Sequence, residues 1–107
     1  VLKDREMLSQ DGLILVVTSV DARLKKIVAG PTVEMKGFMV GDTAGEVSRA
    51  VQKLTEEIIN SYFEKRYIDW SNLKSKLKDA ISKEVIEMTN KEPIIIVTLI
   101  DVESKKE

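Results

Sequence analysis

With no His and no Cys among its 107 residues, this chain has carboxylates, lysines and one aromatic cluster as its only side chains suited to chemistry. The missing His removes the commonest general base near neutral pH and the commonest zinc ligand. The missing Cys removes thiolate nucleophiles, thiolate metal sites and disulfides. Catalysis would have to rest on carboxylates, Lys or Tyr, and Glu56-Glu57, Asp101 and Glu103 are the carboxylates considered for binding a divalent ion or sharing a proton. None of these has the spacing of a metal loop, and adjacent Glu56 and Glu57 project about 100° apart on a helix. They read as a solvated face, and an independent small metal-dependent enzyme is the weakest of the functional classes.

Phosphate binding is the next chemistry to test, at "AGPTVEMKGFMVGDTAG", residues 29–45. A P-loop needs its glycines before GK[ST] at a helix start, and a dinucleotide site needs GxGxxG directly after a strand; neither is present. Gly41 to Gly45 precede a helical pattern whose first amides would suit an anion, but Asp42 and Glu46 would repel one there. The segment is assigned to turn and capping chemistry. The lysines Lys74, Lys76, Lys78 and Lys83 do not share one helix face, although Lys74 and Lys78 are neighbours. "YFEKRYIDW" gathers Tyr62, Phe63, Tyr67 and Trp70 beside Lys65 and Arg66. That mixture can stack on single-stranded bases, and Tyr62, Arg66, Tyr67 and Trp70 are the RNA contacts such a site would use. The simpler reading is a helix–helix corner packed by aromatics. No catalytic, cofactor-binding or metal-ligating residue is assigned.

The elements that must position these groups follow from periodicity. "DGLILVVTSV" opens on an Asp-Gly turn and gives a β-branched-rich strand over 13–20. "DARLKK" is a polar connection to "KIVAG", a second strand ending at Gly30-Pro31, so the first two strands form a hairpin. "MKGFMV", 35–40, has the composition of a short third strand, with Gly37 turning the chain and Phe38 entering the core. Val47, Val51, Leu54, Ile58 and Tyr62 then recur at helical spacing. Asp42 or Thr43 is the N-cap of this helix, with Glu46 completing a capping box. A second helix carries Leu73, Leu77, Ile81, Val85 and Met88, starts at Asp69 or Ser71 and ends at Asn90 and Pro93. "IIIVTLIDV", 94–102, is the last strand, before a charged tail.

The order β-β-(β)-α-α-β implies an α/β fold of α+β character, a three- to four-stranded mixed sheet with both helices on one face. Leu13 to Val17 and Ile94 to Val97 are apolar at every position, whereas a sheet covered on one face alternates apolar and polar. Something beyond two helices must cover the second face, and Val16, Ile95 and Val97 are the residues assigned to that interface. The length suits one domain over 1–107, with 1–11 as the end of an interdomain linker, and the start at Val1 suggests a piece of a larger protein. Seventeen basic and 18 acidic side chains give a net charge of −1, which offers no long-range attraction to a polyanion. The absence of an apolar stretch of about 20 residues and of a signal-like N-terminus suggests a cytoplasmic location without membrane contact.

Three segments together resemble a known family. "LKDREMLSQDGLILVV" at 2–17, "AGPTVEMKGFMV" at 29–40 and "DWSNLKSKLKDAISKEVIEMTNKEPIIIVTLIDV" at 69–102 are similar to the C-terminal domain of bacterial ribonuclease J, of the metallo-β-lactamase and β-CASP class. Gly30-Pro31 followed by Gly37-Phe38, Trp70 at the second helix and Pro93 before the last strand carry the likeness. Lys36 departs from it, standing where many relatives have Arg. The resemblance implies a parent enzyme with 5′ to 3′ exonucleolytic and endonucleolytic activity on RNA, in RNA maturation and decay, using zinc held in a separate catalytic domain. It implies for this domain a non-catalytic role in dimer or tetramer assembly and in placing the catalytic domains, with no cofactor of its own. An auxiliary single-stranded RNA-binding module is the alternative.

Overall fold

A computed structural model describes residues 12–37 and 43–102. The elements are β1 (Leu13–Asp21), β2 (Lys26–Lys36), α1 (Ala44–Phe63), α2 (Trp70–Thr89) and β3 (Ile94–Asp101). They make a three-stranded mixed sheet in the order β2-β1-β3, with β1 antiparallel to β2 and parallel to β3. A parallel pair cannot be closed by a tight turn, so the two helices carry the chain across β1 from one sheet edge to the other. In doing so α1 lies over β2 and α2 over β3. The α+β layout expected from the sequence is the one observed.

β1 is the centre of the molecule because alternate residues bury under the helices: Ile14, Val16, Thr18 and Val20 are at most 1% exposed, with half-buried Leu13, Leu15, Val17 and Ser19 between them. The core adds Val47, Val51, Ile59, Tyr62 and Phe63 of α1, Leu73, Leu77, Ile81 and Val85 of α2, and Ile95 of β3. Each such aliphatic or aromatic side chain contributes about 1.5–3 kcal/mol when fully removed from water.

Two helix stripes differ in detail from the periodic reading. In α1 the buried line runs Val47, Val51, Thr55, Ile59, Phe63, while Leu54 and Ile58 are half-buried beside it. Thr55 can take a core position because its hydroxyl donates to the Val51 carbonyl at 2.7 Å, and a polar residue type masked that in the sequence. In α2 the line Leu73-Leu77-Ile81-Val85 advances four residues at a time, which drifts about 40° per step. Its continuation is half-buried Thr89, and Met88 is left 38% exposed. The caps also divide: Asp69 caps α2, its carboxylate accepting from the Asn72 amide at 3.1 Å, whereas the Thr43 side chain makes no capping bond to α1. Asp42 lies outside the described residues.

β2 does not stop at Gly30-Pro31. It continues to Lys36 through a cis Gly30–Pro31 bond, with an irregular register opposite Val17 to Val20. Pro is tolerated there because β2 is an edge strand with an irregular ladder, where a missing amide need not break the sheet. Gly30 has φ +86°, and a Cβ on it would sit 2.8 Å from the Val17 carbonyl oxygen. Met35 and Lys36 are therefore the end of β2 rather than a third strand; Phe38, Met39 and Val40 lie outside the described residues. At the other end of the hairpin, Asp21 closes the turn by accepting from the Arg23 and Leu24 amides at 3.0 and 3.1 Å.

Candidate functional site

The groups that could do chemistry are scattered. Glu56 and Glu57 are both exposed on α1, and Asp101 ends β3, where it accepts from the Ala22 amide at 3.5 Å; Glu103 lies outside the described residues. No three metal-ligating side chains converge among the described residues. A chain without His or Cys does not compose a zinc cluster of the kind that its resemblance places in a catalytic domain.

The aromatic corner is mostly packing. Tyr62 is only 7% exposed, its hydroxyl donates to Asn72 Oδ1, and the Lys65 ammonium stands 4.3 Å from its ring centre. A ring fixed and covered in this way cannot receive a nucleobase, so Tyr62 does not offer the RNA contact expected of it. Trp70 is half-buried against the core. Arg66 is exposed and Tyr67 is 81% exposed, leaving these two at the surface. The β1–β2 turn is tied to this corner by Lys25, whose ammonium donates to the Lys65 carbonyl at 3.0 Å.

The sheet face turned away from the helices is different in kind. Strand register places Leu13, Leu15, Val17 and Ser19 of β1 beside Ile94, Ile96, Thr98 and Ile100 of β3, with Lys36, Glu34 and Thr32 of β2 on the other flank. Six of these eleven side chains are large aliphatics, none of them belongs to the core or packs on it, and Ile96 is 44% exposed. Val16 and Ile95, assigned to an interface from the sequence, are 0% and 4% exposed and point the other way, into the helix-covered core; Val97 shares that side. The period of two explains the correction: a choice of face displaced by one residue moves every side chain to the opposite side. Leu15, Ile94 and Ile96 are the residues the open face offers instead.

A match to the family model of the ribonuclease J C-terminal domain extends over residues 1–102, nearly the whole chain. The chain belongs to that family. Ribonuclease J 2 of Staphylococcus aureus is similar to it at 32% identity over 96 residues, 90% of this chain and 17% of that protein. Ribonuclease J 2 of Staphylococcus epidermidis is 31% identical over the same length. The chain thus spans about one sixth of the curated relatives it matches. In this ribonuclease J C-terminal domain, no described helix is long and apolar enough to cross a membrane.

Proposed function

We propose that this domain is the non-catalytic assembly module of a cytoplasmic, zinc-dependent ribonuclease of the J family. It joins copies of the enzyme into a dimer or tetramer and so sets the spacing of catalytic domains that act on RNA. The observation that carries this reading is the aliphatic sheet face formed by Leu13, Leu15, Val17, Ile94, Ile96 and Ile100, opposite the helices. Contiguous apolar surface of this kind marks an interaction site, and a stable contact needs about 800 Å² per partner. Face-to-face packing of two such sheets, about 10 Å apart, supplies an apolar centre rimmed by Glu34 and Lys36.

The test is made in the full-length parent enzyme. Leu15→Lys with Ile96→Lys introduces two charges into the centre of the face without touching the helix-covered core. The expected outcome is a drop to a lower oligomer by light scattering, with the secondary structure of the domain intact by circular dichroism. An unchanged oligomer with the substituted domain folded contradicts the proposal.

A further inference from the structure

Apart from its open face, the sheet has two outer edges among the described residues, one on β2 and one on β3. β3 has a single hydrogen-bonded neighbour, β1, among the described residues. Its outer edge runs beside α2, and the two enclose a shallow groove of about 300 Å³ lined by Lys74, Ser75, Lys78, Ile95, Ile96 and Val97. From these observations we infer that this groove binds an extended acidic peptide segment, which adds to β3 as a fourth strand.

Three features select that occupant. An edge strand presents a row of backbone donors and acceptors, and the ligand that satisfies them along their whole length is another extended polypeptide. Lys74 and Lys78 stand one helical turn apart over this edge, a rise of about 6 Å, which matches the roughly 6.6 Å between residues i and i+2 of a strand. A peptide in register with β3 therefore places alternate residues on the helix side, level with Ile95 and Val97, where carboxylates meet the two ammonium groups. Its intervening residues fall on the other side, next to exposed Ile96, where aliphatic side chains extend the open face. The recognised pattern is thus acidic-aliphatic-acidic-aliphatic. A nucleic-acid backbone would satisfy the lysines but not the strand edge.

The experiment uses the 107-residue chain and fluorescein-labelled octapeptides alternating Glu with Val or Lys with Val, with oligouridine as a third probe. The Glu-Val peptide is expected to bind saturably, more weakly as salt rises, and to shift the backbone amide signals of residues 94–101 and of α2 around Lys74 to Lys78. Reversal of both charges, Lys74→Glu with Lys78→Glu, is expected to weaken it about tenfold and to transfer preference to the Lys-Val peptide. Both lysines are exposed, so the variant keeps the native fold. Failure of the Glu-Val peptide to bind, equal binding of both peptides, amide shifts confined to other regions, or tighter binding of oligouridine through the same lysines would each overturn the inference.

Discussion

Thr18 carries a hydroxyl into the helix-covered side of β1, where it is 1% exposed and Oγ1 has no hydrogen-bond partner among the described residues. A buried polar atom without a partner costs about 1–3 kcal/mol, so Thr18→Val, which keeps the branched shape, is predicted to stabilise the domain by about 1 kcal/mol in urea unfolding. A loss of stability would mean that the hydroxyl is bonded. Gly12 is the opposite case. It has φ +84°, and a Cβ there would lie 2.5 Å from the backbone of Gly37 and from the Lys36 carbonyl oxygen, where the chain before β1 passes the end of β2. Gly12→Ala is predicted to cost roughly 2–4 kcal/mol, measured the same way. The Asp-Gly pair announced a turn at this point, but not that two glycines touch across the hairpin; that contact joins residues 25 positions apart and has no local signal. Likewise Gln52, whose side-chain amide donates to the Pro31 carbonyl at 3.0 Å, ties α1 to the kink in β2 through a pairing that no spacing along the chain reveals.

Among the elements, helices and strands were legible where one period dominated. The line Leu73-Leu77-Ile81-Val85 of α2 follows from apolar residues at one helical spacing, whereas β1, apolar at every position from Leu13 to Val17, shows its alternating burial only in the fold. The misreadings came where residue type and role diverge: Thr55 sits in the core by bonding its own helix, and Pro31 sits inside a strand because that strand is an edge. The face of the sheet cannot be chosen from strands apolar at every position, so the sequence turns Val16, Ile95 and Val97 outward while the fold turns them inward. Two substitutions probe the elements. Asp69→Ala removes the cap of α2 and is predicted to cost about 1 kcal/mol in urea unfolding. Leu77→Ala opens a cavity at a fully buried position of the same helix and is predicted to cost about 2–5 kcal/mol, seen as a lower denaturant midpoint with unchanged slope.

At the scale of the molecule, three strands and two helices build one core and leave the other side of the sheet apolar. Composition narrows the side chains that could do chemistry to carboxylates, lysines and tyrosines, since the chain has no His and no Cys. What that composition could not supply was the location of the useful surface, because it depends on the pairing of β1 with β3, which lies 81 residues further along at Leu13↔Ile94. The same pairing makes the assembly reading testable on the domain alone. Light scattering on the 107-residue chain at hundreds of micromolar should give twice the 12.1 kDa chain mass, and the Leu15→Lys, Ile96→Lys variant should return it to one. A chain that stays monomeric at that concentration, or a dimer indifferent to both lysines, would contradict the central claim that the open sheet face is where copies meet.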